Sequence, residues 1–494
     1  MDNIGNIIRE FKQVTGTSSS SSKHTKRSES LALMTGKSDV YECKVEIFGD
    51  IKNYDFLNIH HFEDGEVLCQ VYNITRELNI MVGMVKIIGF RKEGKLQNIR
   101  KPFSTNATIQ IATDEFIEKT LGLNRVDGAF IGTLEHHKDL KVKLDLRKIL
   151  QKHISILAKS GAGKSYTVGV LLEEIIQRGI PIVILDPHSE YSTLDTPNDD
   201  LKDIKKLSYY GLKPQEFKEN VRKFSPNVEL NPGSQKITLN IKSLNPMNFV
   251  ELLPNKLSPS QKNLIMTLLS SSSGRVDFEE LIFNLSNEES NSKWDLIAQI
   301  EQLKQYKIFT DGGTPLSNIV EYGKASIISL KGVESYVRET LVTNLLQQLF
   351  EARKKNEIPP FFLVLEEAHN FAPEKGSGAS QKPLNIIRTL AGEGRKFGLG
   401  LCVISQRPAK VDKNVLSQCS TQLIMNVTNV NDLKSIVAST EGLNSSAVNE
   451  ISQLNVGTCM LTGIVQTPLK VNVRPRMSKH GGEGASINLE KIQH

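Results

Sequence analysis

The residues best suited to phosphate chemistry are Ala158-Lys-Ser-Gly-Ala-Gly-Lys-Ser165. They follow the apolar run Ile154–Leu157 and open the amphipathic run Tyr166–Arg178. Strand, glycine-rich loop and helix is the context in which Gly-Lys-Ser marks a phosphate cradle. Gly161 and Gly163 let backbone N–H groups turn inward around an anion. The helix start adds its partial positive charge. The ligands this predicts are ATP and Mg2+, with Ser160, Gly161, Ala162, Gly163, Lys164, Ser165 and Tyr166 along the nucleotide. Lys164 reaches the β- and γ-phosphates, and the Ser165 hydroxyl binds the metal. Ala158 stands where the general pattern has its first glycine, outside the cradle Ser160–Ser165.

A second group lies 200 residues on in the sequence. Phe361–Leu365 is a run of five apolar residues followed by Glu366 and Glu367. This predicts a buried strand with paired carboxylates at its end, Glu366 holding Mg2+ through water and Glu367 polarising the attacking water. Adjacent like charges are costly unless a cation offsets them, and a metal–nucleotide site supplies one. Asp186 closes the apolar run Ile180–Leu185, and ligands of open α/β sheets bind beyond the carboxyl ends of strands. Asp186 is therefore a candidate metal ligand, with Glu190 nearby; turn formation by Asp-Pro is an equal alternative. Gln406, after the strand Gly400–Ile404, is a candidate γ-phosphate sensor. Arg395, just before that strand, is a candidate to face a neighbouring subunit's nucleotide.

Positioning these groups requires an α/β fold with a parallel sheet. A chain of 494 residues has room for two to four domains. Residues 1–35 hold the serine run Ser18–Ser22 and the basic cluster Lys23–Arg27, the composition of a disordered tail. Residues 36–143 carry short β-type runs separated by turns, the pattern of a small barrel or sandwich. Within them, Arg91, Lys92, Lys95, Arg100 and Lys101 form a basic, hairpin-like stretch. The pairs His60-His61 and His136-His137 point to opposite sides of a strand and read as surface residues. Residues 144–475 form the nucleotide-binding domain, with a helical insertion at about 201–316 in which Trp294 reads as core. Residues 476–494 read as a flexible arm able to cross to a neighbour. The 61 basic and 55 acidic residues give a net charge of +6, which permits nucleic acid without showing it. No apolar run approaches the ~18 residues that span a membrane. No leader opens the chain, and none of the five cysteines forms a C-x-x-C pair. A cytoplasmic protein without a membrane partner, zinc site or disulfide framework is expected.

Four motifs together resemble one family. Ile156-Leu-Ala-Lys-Ser-Gly-Ala-Gly-Lys-Ser-Tyr-Thr-Val-Gly-Val170, Leu365-Glu-Glu-Ala-His369, Glu393-Gly-Arg-Lys-Phe-Gly398 and Ser405-Gln-Arg-Pro408 are similar to those of archaeal HerA, hexameric DNA translocases of the FtsK–HerA branch of P-loop ATPases. That family often lacks the first glycine of the phosphate loop. The resemblance implies a RecA-like ATPase core preceded by an N-terminal β-barrel, and a homo-hexamer around double-stranded DNA with ATP sites between subunits. It also implies a NurA-type nuclease partner in DNA end resection and double-strand break repair. By position, Lys164, Ser165, Glu366, Glu367 and Gln406 take the roles above, and Arg395 acts in trans. Ser189 stands where the family's Asp-Pro-His-Gly-Glu-Tyr element has glycine. Lys152-His153 stands where Arg-His is expected, so Lys152 replaces an arginine contact to nucleotide and loses the bidentate fork. Two alternatives are a related motor that moves protein or protein–DNA substrates, and an ATP-gated DNA clamp that recruits a nuclease without translocation.

Overall fold

The computed structural model describes residues 30–481 apart from 124–126, 245, 272–275, 291, 375–381, 441–442, 444 and 465–467. The serine run, its basic cluster and residues 482–494 of the expected arm lie outside the described residues. The chain divides into two compact units, one ending at Asn124 and one starting at Arg125.

The first unit is an antiparallel sheet of β1 (Ala32–Met34), β2 (Glu42–Ile47), β3 (Phe56–His61), β4 (Gly65–Glu77), β5 (Ile80–Lys92), β6 (Lys95–Gln97) and β7 (Ile109–Ile111). The main order is β1-β2-β5-β4-β3-β7, with β6 on the end of β5 as a hairpin. The period-two alternation of strands builds the core. Cys43, Val45 and Ile47 of β2 face inward onto Leu57, Ile59, Val67 and Val85. The sheet is open along its ladders. Its end strands approach where Leu31 N–H donates to Ile109 O at 2.9 Å. The basic hairpin is present at β5–β6, and Arg91 is anchored by a bond from Nε to Thr120 O at 3.0 Å. The expectation of surface histidines fails at His61, which is buried. Its Nε2 bonds Lys101 O at 3.1 Å, and its Nδ1 accepts from Asp64 N–H at 3.1 Å, so the ring closes the turn after β3.

The second unit is built on a twelve-stranded sheet of order β13-β12-β16-β11-β17-β18-β10-β19-β20-β21-β8-β9. In chain order these are β8 (Ala129–Leu134), β9 (His137–Leu144), β10 (Ile154–Leu157), β11 (Ile182–Asp186), β12 (Val221–Ser225), β13 (Gln235–Lys236), β16 (Ala325–Ser329), β17 (Phe361–Leu365), β18 (Leu399–Ser405), β19 (Thr421–Ile424), β20 (Thr458–Thr462) and β21 (Leu469–Val473). The run from β13 to β19 is parallel, and the pairs from β19 to β9 are antiparallel. The parallel strands β10, β11, β16, β17 and β18 are buried along their whole length, as strands covered on both faces must be. The helix Ser335–Lys354 covers one face with Leu341, Leu345, Leu346 and Leu349.

Three expected boundaries move. Strands β8 and β9 belong to this sheet because β8 pairs with β21, so the division falls near residue 124 rather than 143. Strands β12 and β13 also extend the sheet. The helical insertion is accordingly bracketed by the short pair β14 (Leu239–Asn240) and β15 (Phe309–Thr310), with its own core of Phe249, Ile265, Leu281 and Ile300. Trp294 is 64% exposed. The helix Lys293–Gln305 buries Leu296, Ile300 and Leu303, a stripe from which Trp294 is out of phase.

The expected arm folds back on its own subunit through Gly481. Arg474 is buried; its Nη1 bonds Glu173 Oε2 at 3.0 Å and its Nη2 bonds Glu174 Oε1 at 2.9 Å. Glu173 also accepts from Ser478 N–H at 2.8 Å. Both glutamates lie on the helix Lys164–Ile176. A Cβ at Gly169 of that helix would stand 2.5 Å from Arg476 Cζ, so glycine admits the buried guanidinium. These charges cost desolvation unless fully paired, and the pairing pins residues 474–478 to the helix that starts at Lys164.

Candidate nucleotide site

The carboxyl ends of β10, β17 and β18 are neighbours in the sheet, and the loop Ala158–Gly163 rises from the first of them. Gly161 has φ +76° and Gly163 φ +96°, the left-handed region that glycine enters without strain. A Cβ at Gly161 would meet nothing within 4 Å, so the loop is open above its tip. Among the described residues, the N–H groups of Ser160, Gly161 and Gly163 have no protein acceptor. Such N–H groups at a helix start form an anion cradle, and this arrangement fits a nucleotide phosphate.

Lys164 is buried and bonds both predicted carboxylates, Glu366 and Glu367, the second at 2.9 Å. Glu366 also accepts from the buried Tyr191 hydroxyl. Glu367 accepts at Oε1 from Gln406 Nε2 at 2.5 Å, and at Oε2 from Gln406 N–H at 3.3 Å. The structure therefore brings Lys164, Glu366, Glu367 and Gln406 together as expected. Glu367 has φ +49° and ψ 52°, a conformation that costs a residue with a Cβ about 1 kcal/mol or more and turns its carboxylate toward β18. Burial pushes Glu366 up to about 7 despite Lys164 beside it. Burial also acts to raise Glu367, but His369 and Lys164 outweigh it and hold the carboxyl down at about 2. The two adjacent acids thus separate into a readily protonated and a firmly ionised member.

Ser165 Oγ bonds Glu190, so Ser165, Glu190 and Glu366 surround Lys164. No group of three or more His, Cys, Asp or Glu among the described residues forms a metal cage. Asp186 is engaged by its own turn. Its carboxylate accepts from His188 N–H and Glu190 N–H at 3.2 Å and from Tyr191 N–H at 3.1 Å. Turn formation accounts for it, and the turn delivers Glu190 to Ser165 and Tyr191 to Glu366. Ser189 sits in that turn at φ +58°, where the expected glycine would be unstrained; its hydroxyl bonds Ser329 Oγ at 2.5 Å. The hydroxyl of Tyr166 is also engaged within the protein. It donates to Asp203 Oδ2 at 2.6 Å and accepts from Arg476 N–H at 2.9 Å, tying the helix start to the C-terminal segment.

Comparison with known proteins finds relatives of this chain. Residues 129–349 match the family described as "Helicase HerA, central domain". A probable helicase of Methanocaldococcus jannaschii is 27% identical over 90% of this chain and 85% of its own length. The DNA double-strand break repair helicase HerA of Pyrococcus furiosus is 26% identical over 82% of this chain and 81% of its own. The chain is therefore similar to HerA helicases, through its central residues and over most of its length. The structure of VirB4 from Thermoanaerobacter pseudethanolicus superposes with TM-score 0.50 at 17% identity, covering 71% of this chain and 97% of that one, a likeness of fold.

Two expected site residues lie at the far end of the strands. Lys152 precedes β10, whose four residues span about 13 Å, so Lys152 is not brought to its own subunit's cradle. Exposed Arg395 precedes β18, whose seven residues span about 23 Å. It cannot meet Gln406 within one subunit, as a residue acting in trans requires. Between them, His153 is buried at φ +56°. Its Nε2–H donates to Ala391 O at 3.0 Å, and its Nδ1 accepts from Leu401 N–H at 3.0 Å, so the ring is neutral. Burial lowers its pKa from 6.5, Arg395 adds to this, and the Ala391 bond opposes it. The stability it contributes is full above the unfolded value of 6.5 and is lost as pH falls from there toward the lower folded value. The urea midpoint of the wild type should therefore fall more steeply between pH 7.5 and 5.5 than that of His153→Gln. Equal slopes would remove His153 from the account. Comparing slopes matters because the raised Asp186 and Glu366 titrate with the opposite sign.

His369 and Tyr191 are the site residues that sequence reasoning missed. Both stand inside quoted motifs, two residues after Glu367 and one after Glu190, and that spacing was the available signal.

Proposed function

We propose that this chain is an ATP-driven motor on double-stranded DNA, assembled as a homo-hexamer in the cytoplasm. In this reading it feeds DNA ends to a NurA-type nuclease during end resection and double-strand break repair. The observation that carries the reading is buried Lys164 bridging two unlike carboxylates beneath an open loop of unpaired N–H groups. The names of the relatives supply the nucleic acid and the repair context.

In this mechanism Ser160–Ser165 bind the triphosphate, and Lys164 exchanges the carboxylates for the β- and γ-phosphates. Ser165 and, through water, Glu366 would hold Mg2+, which would neutralise phosphate charge. Glu367 then orients the attacking water, and Gln406 joins the state of Glu367 to β18. Arg395 reaches the site from the next subunit and neutralises transition-state charge. Contacts to DNA run along the phosphates and do not depend on sequence. No helix among the described residues is long and apolar enough to cross a membrane.

The test is steady-state ATP hydrolysis by the full chain with and without linear duplex DNA. Stimulation severalfold or more by DNA is expected. Hydrolysis indifferent to DNA would instead favour a motor on protein or protein–DNA substrates. Tight ATP binding without turnover, unrelieved by the nuclease, would favour a clamp.

A further inference from the structure

We infer that His369 is a positioning residue that fixes the carboxylate of Glu367 through its Nδ1 atom; the inference rests on the ATPase reading above. His369 Nδ1 lies 3.2 Å from Glu367 Oε2 and 3.1 Å from Ser405 Oγ. Every other polar neighbour of this carboxylate is a donor: the Lys164 ammonium, the Gln406 side-chain amide and the Gln406 backbone N–H. An ionised carboxylate only accepts, so Nδ1 carries the proton in this contact. Ser405 Oγ in turn accepts from Arg407 N–H at 3.0 Å. The imidazole therefore joins the end of β17 to the end of β18 at the carboxylate.

The contact has a particular task here. Glu367 is in the left-handed region, so the direction of its side chain is not the default continuation of β17 and has to be held. Two side-chain donors hold Oε1, and Lys164 is the one that leaves when it turns to phosphate. Oε2 keeps Gln406 N–H and His369, and His369 is the side chain among them. It thus sets the carboxylate before and after Lys164 moves, and Oε1, still bonded by Gln406, gains a lone pair for water. A group with that role acts on the rate of the chemical step more than on nucleotide affinity.

The experiment compares His369→Ala, His369→Asn and His369→Gln in the full chain with Mg2+, ATP and linear duplex DNA. Asparagine places Nδ2 near the position of Nδ1, whereas glutamine places its amide near that of Nε2. Alanine and glutamine should lower kcat roughly ten- to a hundredfold, the loss of one hydrogen bond to a charged group. KM for ATP should stay within about twofold. Asparagine should restore most of the rate. Wild-type kcat in His369→Ala, equal rates for asparagine and glutamine, or a loss confined to KM would each overturn the inference. If His369→Ala fails to fold, the asparagine–glutamine pair still decides. Absence of turnover in the wild type would overturn the ATPase reading and this inference together, whereas inactive Glu367→Gln beside fully active His369→Ala would overturn the inference alone.

Discussion

Glu367→Gln is expected to lower the rate constant of ATP hydrolysis by about 10²–10⁴ while leaving nucleotide binding near wild type. The substitution keeps the volume of the side chain and one acceptor oxygen for Lys164 and Gln406. It removes the negative charge that orients and polarises water. Glu367 rather than Glu366 is the residue to change. Both carboxylate oxygens of Glu366 are engaged by Lys164 and Tyr191, and burial pushes it up to about 7. Glu367 is held at about 2, so it is ionised at any working pH. A carboxylate that acidic is a poor proton acceptor, and its work is orientation. It becomes more basic when Lys164 turns to phosphate, because one of the charges that lower it then departs. Phosphoryl transfer asks little more of a protein than positioning and charge. The measurements are single-turnover phosphate release and equilibrium binding of a fluorescent nucleotide. Hydrolysis within about twofold of wild type would show that another group positions the water.

The site was legible in the sequence where its chemistry is local. Ser160–Ser165 and Glu366-Glu367 each follow an apolar strand, and a parallel sheet must bring such strand ends to one edge. Gln406 was legible for the same reason. The other positions depend on contacts that the strand pattern does not show. Asp186 closes a strand as a ligand would, but three backbone N–H groups of its own turn occupy it. Lys152 sits near motif residues in sequence, yet it precedes its strand and so lies at the opposite edge; Arg395 also precedes its strand, as the expected role in trans allows. In the fold, β8 and β9 read as part of the first domain because the pairing of β8 with β21 spans more than 300 residues of sequence and leaves no local trace. Arg476 opens the segment that reads as a flexible arm, and Arg474 lies two residues before it. Their partners Glu173 and Glu174 are interior residues of a helix, where charge usually means exposure. Gly169 was the overlooked signal, a glycine inside a helical pattern that marks a close approach.

The position of Arg395 makes a prediction about assembly that no single-subunit site shares. Arg395→Ala should lower hydrolysis by about 10³–10⁵ if the guanidinium neutralises transition-state charge, with ATP still bound by the intact cradle. Glu367→Gln is inactive for a different reason and supplies an intact Arg395. In a ring with head-to-tail interfaces each site takes its cradle from one subunit and its arginine from the next. Subunits of Arg395→Ala next to subunits of Glu367→Gln in one order rebuild a complete site. An equal mixture, exchanged at random, should therefore recover complete sites at about a quarter of interfaces, although each protein alone is dead. The readout is ATP turnover against mixing ratio, with a maximum at equal amounts. A cis role for Arg395 predicts no recovery at any ratio, and so does a subunit that hydrolyses alone. The geometry weighs against both, because Arg395 stands before β18 and Gln406 after it, about 23 Å apart along one strand. That separation is what a ring can use, since the exposed edge of one sheet is the part of a subunit free to face the open loop of the next.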